Sequence, residues 1–148
     1  MSNPGPKPSS PYWHLYVDKD GVSHQRECRL TGYELGRIGA ADPQWNDELG
    51  THNSTVVFTV LPVGWAGEWH ENPAPQWIVV LSGRWFIESM DGTRIEQGAG
   101  EVSFGEDQSC IETDGKKGHR SGTIGETPAV LMTVRLHVDP SREPCHFN

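Results

Sequence analysis

GWAGEWHENPAPQWIVVLSG, residues 64–83, joins a Gly-rich turn to a polar stretch carrying His70, Asn72 and Gln76. The apolar run Trp77-Ile78-Val79-Val80-Leu81 follows, closed by Ser82-Gly83. On an extended strand, residues of equal parity share a face. His70, Asn72, Gln76, Ile78 and Val80 are all even-numbered. If Pro73-Ala74-Pro75 leaves the parity intact, the hydrogen-bonding or ligating groups look the same way as apolar side chains. Polar groups at a rim above an apolar wall are what the mouth of a small β-barrel requires.

The flanking sequence extends the same architecture. Tyr12–Val17, the turn signal Asp18-Lys19-Asp20-Gly21 and Val22–Leu30 read as a hairpin. Residues 31–50 carry no clean period, and a short helical turn is expected after Pro43. Thr51–Leu61 is β-branched and reads as a strand. His52, Ser54, Val56, Phe58 and Val60 share a parity there, so His52 is a candidate to project inward beside the central stretch, against a surface position at the strand end. Arg84–Met90, Thr93–Glu96, Glu101–Phe104 and Ala129–Val138 read as further strands separated by Gly or Asp-Gly turns, with a polar loop over 105–118. Residues 1–11 and 139–148 read as tails, the first flexible and the second kept irregular by Pro140 and Pro144. A single domain over 12–138 is expected, all-β, as a sandwich or small barrel of short strands.

Composition narrows the function classes. The chain has 148 residues, 34% hydrophobic, with 17 Gly and 11 Pro, which favours many turns. A formal net charge of −8 argues against nucleic-acid binding and against an anionic membrane surface. No run of about 18 apolar residues and no apolar leader occurs, so neither a spanning helix nor a secretory signal is expected. Cys28, Cys110 and Cys145 are odd in number and widely spaced, matching neither a zinc pattern nor a disulfide framework, and a reducing cytoplasm is the expected compartment.

The central stretch resembles the first motif of the cupin superfamily: a Gly, five residues, His, one residue, His, three or four residues, Glu, six residues, Gly. Gly64, His70, Asn72, Gln76 and Gly83 keep that frame, with Asn72 in place of the second His and Gln76 in place of the Glu. Gly100–Phe104 followed by Gly118-His119 is similar to the second motif, without its Pro-x-Gly and with a longer loop. Further likeness to small single-domain cupins lies in Ser23-His24, Pro73-Ala74-Pro75, Leu81-Ser82-Gly83 and Gly115–His119. The resemblance implies a cupin-type double-stranded β-helix, a jelly-roll barrel, with the site inside its mouth. It also implies a homodimer, formed through edge strands or through Tyr12–Val17.

In that family a divalent transition metal sits on three His and a Glu. Here the resemblance offers His70, Gln76 and His119 as the catalytic and metal-binding residues, with Asn72 or His52 as further ligands and Fe, Mn, Ni or Zn as the ion. Loss of the carboxylate weakens such a site, and three readings stay open. One is a metal-dependent oxygenase, isomerase or lyase acting on a small organic substrate. Another is a metal-free isomerase, cyclase or lyase in which His70 or His119 is the acid/base and Asn72 and Gln76 orient a polar substrate. The third is a non-catalytic binding protein. Ile78, Val80, Phe58 and Met132 are expected to line an apolar pocket. Arg84, Arg120 and Arg135 are available to pair with a carboxylate. Glu101, Glu106 and Asp107 read as solvated or turn residues, and Cys110 as an inert thiol.

Overall fold

The structure is a computed structural model in which residues 3–147 are described. Eleven strands and no helix occur among them. They are β1 (Ser10–Val17), β2 (Ser23–Leu30), β3 (Glu34–Gly36), β4 (Gln44–Asn46), β5 (Ser54–Leu61), β6 (Gln76–Ser82), β7 (Arg84–Ser89), β8 (Arg94–Gly98), β9 (Val102–Glu106), β10 (His119–Ile124) and β11 (Ala129–Leu136). A six-stranded sheet has the order β2-β1-β9-β6-β11-β5, and a three-stranded sheet the order β10-β7-β8. β1 and β9 run parallel and the remaining pairs antiparallel. The two sheets close on each other as the expected all-β jelly-roll barrel. The short helical turn expected after Pro43 is instead β4, which pairs with β3 as a small separate hairpin.

Alternation along each strand builds two cores. Leu15, Ile78, Val80, Leu131 and Leu61 point from the large sheet onto Trp85, Ile87 and Ile95 of the small one. Tyr12, Cys28, Phe104 and Leu136 lie on the outer face of the large sheet, where Trp77, Val134, Cys145 and Phe147 pack with them. The segment expected as a C-terminal tail therefore covers part of that face as a strap. Its prolines keep it irregular, as expected, but irregular backbone is here fastened backbone. Tyr12–Val17, expected as a dimer contact, is an inner strand between β2 and β9 and is buried along one side by this strap.

The strap is also tied covalently. Cys28 and Cys145 form a disulfide across 117 residues of sequence, which corrects the expectation that the cysteines make no bridge. Spacing could not reveal the pair, because β2 and the strap meet only once the sheet has formed. Such a bond persists under oxidising conditions, so the expectation of a reducing compartment finds no support in it. No helix among the described residues is long and apolar enough to cross a membrane. Cys110 stays unpaired and buried. Burial, helped by the charges of Asp107 and Glu71, pushes its thiol up to about 11 despite the Gly118 backbone hydrogen bond, as an inert thiol requires.

Candidate active site

The segment before β6 does not form a continuous strand, yet it runs beside β10. Gly67 N–H donates to Ser121 O, and His70 and His119 exchange both backbone hydrogen bonds at 2.9 Å. This pairing sets the imidazole rings side by side, their centroids 4.6 Å apart and their planes tilted by 50°. The backbones can meet because residue 118 is glycine. Its φ is +78°, and a Cβ there would lie 2.2 Å from the His70 carbonyl oxygen.

Between the sheets is a cavity of about 210 Å³. Its polar side chains include His70, Asn72, Gln76, His119, Ser121, Thr133 and Arg135, and its apolar wall includes Leu61, Trp65, Ile78, Trp85 and Leu131. The parity expected along β6 thus holds: Gln76 and Ile78 both face inward. On β5 the expected parity is inverted. Val57, Thr59 and Leu61 line the cavity, while Phe58 is 67% exposed. Met132 likewise points away, and Leu131 and Thr133 take the inward positions. Both strands are apolar on both faces, so alternation alone could not choose between them. His52 lies before β5 as an exposed residue and is not part of the cavity wall.

A directed chain of hydrogen bonds runs behind the cavity. His119 Nδ1 is 2.6 Å from Asp107 Oδ2. Asp107 Oδ1 accepts the Asn72 backbone N–H at 2.9 Å and the Asn72 side-chain amide at 2.8 Å. Asn72 Oδ1 accepts Gln76 Nε2 at 2.6 Å, and Gln76 Oε1 accepts Arg135 Nε at 3.3 Å. Each amide has one orientation consistent with these contacts. Asp107, expected to be a solvated or turn residue, is instead fully buried. Burial raises its carboxyl, but the hydrogen bond and charge of His119 and the two Asn72 donors outweigh this and hold it below its ordinary value. An ionised Asp107 accepts only, so His119 carries its proton on Nδ1 and presents a bare Nε2 when neutral. His70 Nδ1 donates to the Glu68 carbonyl at 2.6 Å, which leaves its Nε2 in the same state.

The expected metal-ligand set does not fit this geometry. The amide oxygens of Asn72 and Gln76 are each occupied by a donor, and the Arg135 cation adjoins Gln76. Two imidazole nitrogens remain, fewer than the three protein ligands typical of a catalytic zinc site. Glu71, the nearest acidic residue in sequence, is turned away and accepts the Cys110 N–H at 2.8 Å. A different group, His14, Glu106 and His146, brings its ligand atoms within 4.8 Å of one another, close enough to hold a metal ion. It lies under the C-terminal strap on the outer face of the large sheet. As arranged, the Cys145 N–H donates to His14 Nδ1, which places the His14 proton on Nε2. His14 and His146 then both donate to Glu106 Oε1, at 2.9 and 2.7 Å. These contacts make a hydrogen-bonded anchor for the strap.

No protein-family model matches the chain, and no curated protein matches it. Among solved structures, protein NMB1881 from Neisseria meningitidis is 15% identical over 70% of this chain and 81% of that one, with a TM-score of 0.43. A candidate ethanolamine utilization protein Q from Salmonella typhimurium LT2 is 15% identical over 87% of this chain and 97% of that one, with a TM-score of 0.36.

Proposed function

We propose that this protein is a small cupin-type enzyme that moves a proton on a small organic molecule, in the manner of an isomerase, cyclase or lyase, without a metal at the barrel mouth. The observation that carries this reading is the His119–Asp107 pair at the cavity wall. Asp107 fixes the imidazole tautomer and stabilises the imidazolium formed when Nε2 takes a proton, the role a carboxylate plays behind a catalytic histidine. His70 offers a second Nε2 on the ring beside it and can return a proton at a neighbouring atom. Asn72 and Gln76 serve here as orienting groups of the Asp107 chain. The expected homodimer belongs to the same proposal and is supported by the exposed apolar face of β5.

Proton transfer can be tested before the substrate is known. A panel of small carbonyl compounds and carbon acids, incubated with the protein in D₂O, is followed by proton NMR for loss of C–H signal. The expected result is catalysed exchange of one compound class, reduced about 10²–10⁴-fold in His119→Gln and less severely in Asp107→Asn. Exchange that is equally fast in His119→Gln would sink the assignment. No exchange with any compound, alongside measurable ligand binding, would favour the non-catalytic binding protein.

A further inference from the structure

We propose that the barrel cavity takes a small organic monocarboxylate, its carboxylate gripped by the Arg135 guanidinium and its apolar body lodged against Ile78, Leu131 and Trp85. The inference rests on reading this cavity as the working site and names the class of molecule it accepts.

Arg135 occupies an inward position of β11, in line with Leu131 and Thr133, and is half-buried at the cavity wall. The other arginines considered as carboxylate partners are already engaged. Arg120 is paired with Glu88, and Arg84 approaches Glu96. Arg135 has no carboxylate within ion-pair distance among the described residues, although the chain carries 20 acidic side chains against 12 basic ones. Its hydrogen bond is to the neutral oxygen of Gln76 through Nε. That oxygen is held in place because Gln76 Nε2 is committed to Asn72. The Nε edge is thereby fixed, and the two terminal nitrogens are left for a planar acceptor. A guanidinium matches a carboxylate with such paired donors, and a half-buried cation without a partner is costly until one arrives.

The rest of the wall agrees with an anion. No Asp or Glu side chain lines the cavity, since Asp107 lies behind His119 and Asn72. Ser121 and Thr133 are more than nine-tenths buried and line the cavity. Their hydroxyls have no protein hydrogen-bond partner among the described residues, so the wall offers further polar groups that carry no negative charge. Size is limiting as well. A volume of 210 Å³ equals about seven waters at roughly 30 Å³ each. That suits a compact body such as one aromatic ring or a short branched chain.

The test is calorimetric titration of the full chain with matched pairs, benzoate against benzamide and isobutyrate against isobutyramide. The acid of at least one pair is expected to bind about tenfold or more tightly than its amide, the scale of a charged hydrogen bond. Arg135→Gln should abolish that preference while leaving amide binding measurable. Arg135→Lys, which keeps the charge but not the fork, should retain part of it. Equal affinity for acid and amide in the unaltered protein, or no binding of either acid at millimolar concentration, overturns the proposal. So does an undiminished preference in Arg135→Gln. Because no turnover is read, an inactive His119 in the exchange experiment leaves this result intact, and failure here leaves the proton-transfer result intact.

Discussion

Asp107 is the residue on which the candidate site turns. It orients His119, accepts two bonds from Asn72 and reaches Arg135 through Gln76. Its folded-state pKa is depressed, so its stabilising contribution is present above the unfolded value near 3.8 and is lost as pH falls through the folded value. Denaturant melts of Asp107→Asn at pH 7 are expected to show a loss of about 1.5–3 kcal/mol, the range for hydrogen bonds to charged groups. Below pH 4 the deficit should shrink, because the unfolded chain takes up a proton that the native carboxylate resists. A deficit that stays constant down to pH 3 would mean that the Asp107 charge is not what these bonds depend on. Little in the sequence marked this residue. Asp107 follows β9 in a polar loop, twelve positions before His119, and only the return of that loop to β10 brings the two together. The cavity-facing positions of His70, Asn72 and Gln76 were legible because spacing and parity over residues 64–83 point them one way, whereas His119 rested on a looser likeness to a second motif. Their mutual bonding was not legible, since an amide reads equally well as a ligand or as a link in a chain.

At the scale of elements, the C-terminal strap shows what hydropathy along the chain misses. Residues 139–147 have no period and contain two prolines, and they form no strand. They are nonetheless held by the Cys28–Cys145 bond, by Glu106 accepting from His146 and the Ser141 N–H, and by Phe147 against Trp77 and Phe104. All of these partners lie far away in sequence, so no local pattern announces them. Because the bond closes a long loop, Cys145→Ser is expected to lower stability by about 2–4 kcal/mol and to lower the Tm. Quantifying thiols in denaturant should give one per unaltered chain, matching the free Cys110. A count of three would show the bridge absent, and an unchanged Tm in the variant would show that the strap is held without it. The strands themselves were far easier to read. β1, β6 and β11 fall close to the runs of branched and aromatic residues that define them, since those side chains suit a pleated and half-buried surface, and β2 was legible from the turn signal Asp18–Gly21 that precedes it.

At the scale of the whole molecule, β5 carries its apolar residues on the unexpected face. Its sequence STVVFTVL places Val56, Phe58 and Val60 on one side and Val57, Thr59 and Leu61 on the other. Hydrophobicity alone would bury the first set, yet 56–67% of each of those residues is exposed. The inward positions accept Thr59 because they border a polar cavity. The outward set is paired in register with Val134, Met132 and Val130 of β11, so the stripe is part of a wider apolar surface. It continues toward the part of the sheet that the C-terminal strap covers. β5 is also the sheet's edge, with no proline to block pairing. An edge of this kind left open invites association. A two-fold contact would use every side chain twice, as an isologous interface does. A second copy of the chain is therefore the expected cover, and light scattering should give the mass of two chains at micromolar concentration. Phe58→Glu should yield a monomer with an unaltered cavity, because Phe58 faces away from it. Full burial of a Phe is worth about 1.5–3 kcal/mol. Losing it on both copies and placing two carboxylates at the contact should therefore weaken association by at least a hundredfold. A monomeric unaltered protein, or a Phe58→Glu variant that remains dimeric, would remove β5 as the interface.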